Sequence, residues 1–318
     1  MKFKLNLIRI TPFLIGLIGA TASASAPFAK TAAPAFYRIM VGDFEVTSIS
    51  DGTVELPMST LLTPGKPEDT KAALAKHFLA EPFETSDNSF LINTGTKLVL
   101  VDTGAGKLFG PTLGKFVTNF KASGYSPEQV DIILITHMHP DHVGGLTEEG
   151  KRVFPNATVW ADKAESAYWL SPENLAKASK DNVGFFKGAS DSLSPYVKAE
   201  KTKWIDQNTE VVPGIRTEAS HGHTPGHTTY VVESKGQKLV LWGDLLHVGS
   251  LQFQNPGIGI KFDSDGKAAG TQRVHAIADA AKNGYLIGVT HLPFPGMGHV
   301  SAEGKKYSFT PLNYTQLK

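Results

Sequence analysis

The chain has 318 residues, of which 41% are hydrophobic and 19% charged, with 31 Gly and 19 Pro. This composition is typical of a globular protein with a sizeable core and excludes a disordered chain. Lys and Arg number 31 against 30 Asp and Glu, so the formal net charge of +1 argues against a nucleic-acid partner. Cysteine is absent, which excludes disulfides and Cys-ligated metals. A metal site would therefore use His, Asp or Glu.

The first residues have the layout of a secretory signal peptide. A basic start, MKFKLNLIR, precedes an apolar run that small residues follow. The apolar run is shorter than the about 20 residues that a membrane span needs. We expect residues 1–24 to be removed by cleavage near Ala24, which leaves a secreted or periplasmic protein that does not bind the membrane. Residues 25–36 are rich in Ala and Pro and predict a flexible lead-in.

Segments with strand and helix patterns alternate along residues 37–318. Alternating or continuously apolar stretches predict strands at residues 37–49, 89–93, 97–102, 131–136, 157–161, 215–219, 229–233, 238–242 and 285–290. The first of these is expected to be a strand pair with a turn at Asp51-Gly52. Helical spacing occurs at residues 72–79, 113–122, 164–170 and 272–281. Residues 171–200 are polar and predict an irregular segment. The alternation of both element types without a linker predicts one domain of the α/β or α+β class.

Four side chains that can bind metals follow one predicted strand directly. The apolar strand DIILIT leads into His137, His139, Asp141 and His142. Because side chains alternate along an extended chain, His137 and His139 are expected to point the same way. Asp141 and His142 come after a turn at Pro140 and can reach a second centre. Since buried polar clusters need partners, this concentration of ligands predicts a metal site.

Three further candidate ligands follow other predicted strands. His223 lies in the motif GHTPGH, Asp244 ends the segment LWGD, and His291 follows the strand that begins at Tyr285. Open sheets of mixed α and β structure place their ligand sites at such strand ends. We therefore expect these side chains to converge with the first motif.

The motifs HMHPDH, GHTPGH and GD, followed by a late strand-terminal His, resemble those of the metallo-β-lactamase superfamily. Segments such as SDGTVELP, LVLVDTGAGKLFGPTLG and GQKLVLWGDLLHV are similar to the methyl parathion hydrolase group of that superfamily. The resemblance covers about residues 37–318. It implies an α+β fold, a four-layer αββα sandwich in a single domain, with a binuclear metal site along one edge of two sheets. It also implies a homodimer.

The resemblance also implies roles for individual residues. One metal would be held by His137, His139 and His223, the other by Asp141, His142 and His291, with Asp244 bridging the two. His227 does not match a ligand position. Asp141 and Asp102 are the expected catalytic residues, Asp141 by orienting an activated water and Asp102 by orienting a ligand imidazole. A strand-end cap is the alternative role for Asp102.

These residues predict a metal-dependent hydrolase. Nitrogen and oxygen ligands suit Zn²⁺, although Mn, Co or Fe can occupy the same set. Two divalent metals lower the pKa of bound water toward about 7 and polarise a carbonyl or phosphoryl oxygen. The chain has no GxSxG motif, so a serine nucleophile is not expected.

The expected substrate is a small neutral ester. The resemblance implies a pocket formed by Phe109, Trp169 and one of Phe185 or Phe186, and aromatic walls suit an aryl or alkyl leaving group. Further pocket positions are expected at Leu62, His247, Ile260 and Phe262. Bulky Ile260 and Phe262 would narrow the pocket, which favours a planar aryl ester or lactone over a tetrahedral organophosphate triester such as methyl parathion. Two alternatives remain open, an N-acyl homoserine lactonase with an acyl-chain groove and an exported metal-binding protein without catalysis.

Overall fold

The structure, a computed structural model, describes residues 26–33 and 35–317. The predicted signal peptide at residues 1–24 lies outside the described residues. Residues 26–33 are exposed and form neither helix nor strand. The first strand begins at Phe36, the last residue of the predicted lead-in. Among the described helices, none combines the length and the apolar character that crossing a bilayer requires.

Strands and helices alternate through residues 35–317. The strands of this described part are β1 (Phe36–Val41), β2 (Phe44–Leu56), β3 (Leu62–Thr63), β4 (Phe83–Asn93), β5 (Leu98–Val101), β6 (Ile132–Leu134), β7 (Thr147–Glu148), β8 (Lys151–Arg152), β9 (Thr158–Asp162), β10 (Thr202–Ile205), β11 (Glu210–Val212), β12 (Ile215–Ala219), β13 (Thr228–Ser234), β14 (Gln237–Leu241), β15 (Gly259–Ile260), β16 (Leu286–Gly288), β17 (Met297–Glu303) and β18 (Lys306–Pro311). The α-helices are α1 (Met58–Leu61), α2 (Pro67–Ala75), α3 (Phe116–Ala122), α4 (Pro140–Val143), α5 (Lys163–Trp169), α6 (Pro172–Lys177), α7 (Val183–Lys198), α8 (Gly249–Gln252) and α9 (Gly266–Asn283).

Two large sheets form the centre of the described fold. Their strand orders are β1-β2-β4-β5-β6-β9-β10 and β11-β12-β13-β14-β16-β17-β18. The sheets pack face to face, because Val46 and Phe90 of the first sheet share one apolar cluster with Tyr230 and Leu241 of the second. This cluster is the core between the two sheets.

Helices cover the outer faces of both sheets. Phe116 of α3 and Leu193 of α7 pack against strands of the first sheet, and Ile277 of α9 packs against Val240 and other residues of the second. The layers therefore follow the order helix, sheet, sheet, helix. This arrangement confirms the predicted αββα sandwich.

The predicted turn at Asp51-Gly52 is wrong. Strand β2 continues to Leu56 with a bulge between Ser50 and Gly52, and the turn between β1 and β2 lies at Gly42-Asp43 instead. The Asp51 carboxylate accepts hydrogen bonds from three backbone N–H groups of the 105–116 loop, so its role is to anchor that loop. Asp and Gly favour turns locally, but here the tertiary contacts determine the structure.

The prediction of an irregular segment at residues 171–200 is also wrong, because α6 and α7 occupy most of it. Gly, Ser and an internal Pro195 lower the helical propensity of α7. The helix forms because one face buries Phe186, Leu193 and Tyr196 in the core. In addition, α2 starts at Pro67 and ends before the predicted range of 72–79 does.

Candidate metal centre

The loop after β6 carries the first group of candidate ligands. Strand β6 ends at Leu134, and α4 begins at Pro140 with His139 as its N-cap residue. The rings of His137 and His139 lie 4.5 Å apart, and those of His137 and His142 3.9 Å apart, measured between centroids. A Cβ atom at Gly145 would lie 2.0 Å from a backbone carbonyl oxygen, so glycine lets this loop pack closely behind the imidazoles.

Four side chains form what we call the first cluster. It consists of His137, His139, His223 and Asp244, whose ligand atoms all lie within 4.8 Å of one another. The Nε2 atom of His223 is 3.4 Å from Asp244 Oδ2 and 3.2 Å from His139 Nδ1. All four side chains are buried.

A second cluster consists of Asp141, His142, Asp244 and His291, again with ligand atoms within 4.8 Å of one another. Asp244 Oδ1 is 3.2 Å from His142 Nε2, and Asp244 Oδ2 is 3.0 Å from His291 Nε2. Asp141 Oδ2 lies 3.6 Å from His291 Nε2. Asp244 belongs to both clusters, which is the arrangement that a bridging carboxylate requires. The structure thus brings together all seven predicted ligands.

Buried atoms without hydrogen-bond partners indicate whether these residues fit metal ions. His137 Nε2, His142 Nε2 and Asp244 Oδ1 are buried and have no hydrogen-bond partner among the described residues. Buried polar atoms without partners are costly, and a cation would satisfy all three. Imidazole and carboxylate are ligands that Zn²⁺ and similar divalent ions accept. The residues present therefore fit two divalent metal ions.

Other groups fix the orientation of the second cluster. Asp102 Oδ2 lies 2.8 Å from His142 Nδ1, and Asp102 Oδ1 accepts a hydrogen bond from the backbone N–H of Thr136 at 2.8 Å. Asp102 thus both contacts a ligand imidazole and caps the end of a strand. The Nδ1–H of His291 donates to the Ser86 carbonyl oxygen at 2.9 Å. Such contacts to the far ring nitrogen select the tautomer that a metal ligand needs.

Asp263 is the corresponding group for the first cluster, and it was not predicted from the sequence. The Nδ1–H of His223 donates to Asp263 Oδ1 at 2.8 Å, and the Asp263 side chain is only 2% exposed. Arg273 of α9 lies 3.5 Å from Asp263 Oδ2 and donates to the carbonyl oxygens of Leu245 and Ile258. The segment FDSDGKAA contains two acids, Asp263 and Asp265, that could have indicated this role, whereas nothing in the pattern of α9 distinguished Arg273.

Burial and mutual contact shift the pKa values of these groups in opposite directions. Burial raises the pKa of Asp244, but the surrounding imidazoles outweigh burial and hold this pKa well below its usual range. Burial lowers the pKa of His223 and His291, but their carboxylate neighbours overcome it and raise each pKa to about 9. Burial lowers the pKa of His137 well below its usual value. The site is thus a compact set of charges that metal binding would rearrange, since ligand imidazoles must be neutral.

Aromatic rings line one side of the first cluster. The rings of Trp169 and Phe185 lie 5.2 and 4.9 Å from the His139 ring, and Phe262 lies 6.3 Å from Phe185. Phe186 is buried in the core. Because neighbouring residues of a helix point about 100° apart, only one of Phe185 and Phe186 can face His139. The structure therefore favours Phe185 of the two predicted candidates.

Phe109 is not among the rings that contact the ligand imidazoles in the described part of the chain. It is half-buried and lines a cavity of about 290 Å³ together with Phe185 and the exposed Leu108. This cavity adjoins Pro140, the residue between the two groups of ligands in the HMHPDH motif. Phe109 thus lies beside Phe185 in an extension of the aromatic side of the site.

The remaining predicted pocket residues fall into two groups. Leu62 and Ile260 pair across β3 and β15 and are 6% and 2% exposed, inside an apolar cluster that Phe262 covers. His247 lies in the metal centre itself, with Nε2 3.2 Å from Asp244 Oδ2 and its ring stacked on His291 at 4.9 Å. Burial lowers the pKa of His247 to about 4, so its ring is neutral at physiological pH.

His227 is buried beside the clusters and belongs to neither. Its Nδ1–H donates to the Ser220 carbonyl oxygen at 3.2 Å, and its Nε2 accepts the backbone N–H of Asp244 at 3.1 Å. Burial lowers its pKa to about 3. His227 therefore supports the backbone of Asp244.

Solved structures of hydrolases are similar to this chain over most of its length. The hydrolase AbOPH of the beta-lactamase superfamily is 36% identical with a TM-score of 0.85, and the similarity covers 90% of this chain and 100% of that chain. AidC, a dizinc quorum-quenching lactonase solved with the product N-hexanoyl-L-homoserine, is 26% identical with a TM-score of 0.82, covering 89% of this chain and 99% of that chain.

Curated relatives match a shorter part of the chain. The N-acyl homoserine lactonase of Bacillus cereus is 30% identical over 128 residues, which are 40% of this chain and 42% of that protein. The chain spans about half the length of the curated lactonases it matches. The family model of the metallo-beta-lactamase superfamily matches residues 83–274, which include six of the seven candidate ligands. The chain belongs to the metallo-beta-lactamase superfamily, as its motifs predicted.

Proposed function

We propose that the protein is a metal-dependent hydrolase of small neutral esters, with an aryl ester or a lactone as its best substrate. The observation that carries this proposal is the pair of clusters that share Asp244 beside an aromatic wall. The lactonase relatives and AidC, whose names describe lactone hydrolysis, support the same chemistry.

Bound divalent metals would supply an activated water and polarise the carbonyl oxygen of the substrate. The chain's own residues would position these partners. The seven ligands would hold the metals, and Asp102 keeps the His142 ring in one orientation. The Asp141 side chain is 19% exposed, so it can accept a hydrogen bond from the attacking water on the open side of the site. Trp169 and Phe185 would pack against an aryl group and exclude bulk water.

The other pocket residues support the preference for planar esters. Leu62 and Ile260 lie in a filled apolar cluster, and Phe262 stands between that cluster and the ring of His247. A wall of this bulk leaves less room for a tetrahedral phosphorus centre than for a planar ester. We propose that organophosphate triesters such as methyl parathion are hydrolysed, but less efficiently than a lactone or an aryl ester.

A substrate panel tests the proposal. On one preparation, kcat/KM should rank a lactone and an aryl acetate above methyl paraoxon. Activity should disappear on chelation and return with Zn²⁺, and metal analysis should give two equivalents. A clear preference for methyl paraoxon would overturn the order of substrates. If the protein binds metal but hydrolyses none of these esters, that result favours the alternative of a metal-binding protein without catalysis.

A second candidate is an N-acyl homoserine lactonase. The cavity of about 290 Å³ beside Pro140 has one apolar side, formed by Leu108, Phe109 and Phe185, along which an acyl chain could lie. Its other lining residues include the charged Asp181, Lys187 and Asp191. The curated relatives carry this activity in their names. A rise of kcat/KM with acyl-chain length would favour this candidate, whereas no dependence on chain length would favour the aryl ester.

The location and assembly of the protein are further parts of the proposal. We propose cleavage of residues 1–24 near Ala24, export to the periplasm or medium, Zn²⁺ as the bound metal, and a homodimer. N-terminal sequencing of the protein from a periplasmic fraction tests the first two. Metal analysis and light scattering of that same material test the others.

A further inference from the structure

Glu165 is a fully buried carboxyl group for which the proposed reaction has no use. It lies in the first turn of α5 with no exposed surface, and no Lys, Arg or His of the described residues forms an ion pair with it. A buried carboxylate must find hydrogen-bond donors or lose its charge. Glu165 finds them in the backbone. Its Oε1 accepts the N–H of Met138 and its Oε2 accepts the N–H of Gly226, both at 2.8 Å.

The two donors belong to the two loops that supply the first cluster. Met138 stands between His137 and His139, and Gly226 stands three residues after His223. These loops follow β6 in the first sheet and β12 in the second, so they come from opposite halves of the sandwich. The Glu165 carboxylate therefore joins the loops that carry all three imidazoles of the first cluster.

We propose that Glu165 is a positioning residue that sets the spacing of these two loops and thereby the affinity of the first cluster for its metal. The inference rests on the proposed metal centre but not on the proposed substrate. Glu165 makes no hydrogen bond to the segment of His291, and His142 lies beyond the Met138 contact in α4, so the second cluster should depend on Glu165 less than the first.

The packing around Glu165 supports this role. A Cβ atom at Gly226 would lie 2.4 Å from the backbone nitrogen of Glu165, so the loop touches α5 directly. Trp169 follows Glu165 by four residues and thus lies on the same face of α5. Its ring packs against His139 at 5.2 Å. One helix therefore contacts both loops of the first cluster and also carries part of the aromatic wall.

The charge of Glu165 matters for this function. Burial raises the pKa of the Glu165 carboxyl, and the backbone N–H groups of Met138 and Gly226 oppose the rise because they stabilise the anion. Only the anion presents an acceptor to both donors. A Gln side chain has one oxygen, so its NH₂ group would face the second backbone N–H, donor against donor. Glu165→Gln should release one of the two loops with almost no change in volume.

Stepwise zinc titration in competition with a chromophoric chelator tests the proposal. Glu165→Gln should weaken one of the two zinc steps by about 10–100-fold, the usual effect of removing a group that supports metal ligands. Asp102→Asn, which acts on His142 in the second cluster, should weaken the other step. Glu165→Asp keeps the charge and should weaken the Glu165-dependent step less. Glu173→Gln, at an exposed acid of α6, is the matched control and should change neither step.

Several outcomes would overturn the proposal. They are an unchanged zinc titration in Glu165→Gln, an equal loss at both steps, or a loss at the same step as Asp102→Asn. If Glu165→Gln does not fold, the titration of Glu165→Asp decides in the same way. The readout does not involve an ester. A shifted zinc step without any ester hydrolysis would support the role of Glu165 and refute the proposed function, and ester hydrolysis with an unshifted step would do the reverse.

Discussion

The two clusters share Asp244 but are built differently. The first cluster has three imidazoles and one carboxylate, and aromatic rings and α5 pack around it. The second has two imidazoles and two carboxylates, and the Asp141 side chain is 19% exposed. The first cluster thus depends on the position of three rings in a packed environment, and the second has more carboxylates and is more open. We expect substitutions that disturb packing to affect the first cluster and changes of charge to affect the second.

The largest effect is expected at Asp244, the residue that both clusters share. Asp244→Ala removes a ligand from both clusters and leaves five buried imidazoles around an empty space. Metal content should fall below one equivalent and ester hydrolysis by about 10³-fold or more, since metal activation of water and carbonyl is worth several kcal/mol. Metal analysis and kcat/KM for an aryl acetate measure both losses.

His275→Ala is the control for this substitution, because His275 is exposed and outside both clusters. It should retain two equivalents of metal and full activity. If Asp244→Ala instead kept two metals, the carboxylate would not bridge, and the two clusters would be independent sites.

Asp263→Asn should lower the metal affinity of the first cluster alone. It weakens the support of the His223 ring, so the affinity of the first cluster should fall by about 10–100-fold while that of the second stays unchanged. It also leaves buried Arg273 without its carboxylate, which should lower the free energy of unfolding by about 3 kcal/mol. Zinc titration and urea unfolding of the metal-free protein measure the two effects.

The double variant Asp263→Asn with Arg273→Met separates these two losses. Removing both charges should recover much of the stability without restoring zinc affinity. Zinc affinity that recovers together with stability would mean that Asp263 acts only through folding and does not orient the His223 ring.

A smaller effect is expected from the aromatic wall of the first cluster. Phe185→Ala removes a ring 4.9 Å from His139 while leaving every ligand in place. We expect kcat/KM for an aryl ester to fall by about tenfold, because aromatic contacts contribute of order 1 kcal/mol each. Zinc affinity should not change. Phe186→Leu, in the adjacent core position, should lower stability but leave the ratio of aryl to alkyl ester hydrolysis unaltered.

Sequence reasoning predicted the layers of the fold and the composition of the site because both depend on local patterns. The apolar strand DIILIT ends where the HMHPDH motif begins, and each further ligand follows a predicted strand. Of the groups that support the ligands, Asp102 was expected from the family resemblance, whereas Glu165 and Asp263 were not predicted. Glu165 and Asp263 reach the clusters across long sequence separations, and their donors are backbone N–H groups or ring nitrogens that carry no pattern.

The helix α7 shows the same limit for the fold. Its Gly, Ser and Pro residues indicate a loop by propensity, and only burial of Phe186 and Tyr196 in the core explains why it is helical. A Cβ atom at Gly188 would lie 3.0 Å from a side-chain carbon of Pro140, so α7 packs directly behind the metal-binding turn. Gly188, which disfavours a helix locally, thus allows this close approach.

The smallest predicted effect is the pH dependence of the stability of the metal-free protein. It distinguishes histidine rings that are neutral in the folded chain from those that are protonated. Burial lowers the pKa of His227 to about 3 and that of His247 to about 4. Between pH 4 and 6.5 these rings are neutral in the folded chain and protonated in the unfolded chain, whose His pKa is about 6.5. The unfolded state then binds more protons, so the stability of the metal-free protein should rise with pH in this window.

Above pH 6.5 the direction reverses in the metal-free protein. Carboxylates raise the pKa of His223 and His291 to about 9 against the effect of burial, so these rings stay protonated in the folded chain after the unfolded chain has lost its protons. Their contribution is complete below pH 6.5 and is lost as pH rises to about 9, which gives a maximum of stability near pH 6.5. Bound Zn²⁺ requires both rings to be neutral, so the decline above pH 6.5 should vanish in the loaded protein. Melting temperatures with chelator and with Zn²⁺ between pH 4 and 9 measure this, and a parallel decline in both would mean that these two rings do not bind the metals.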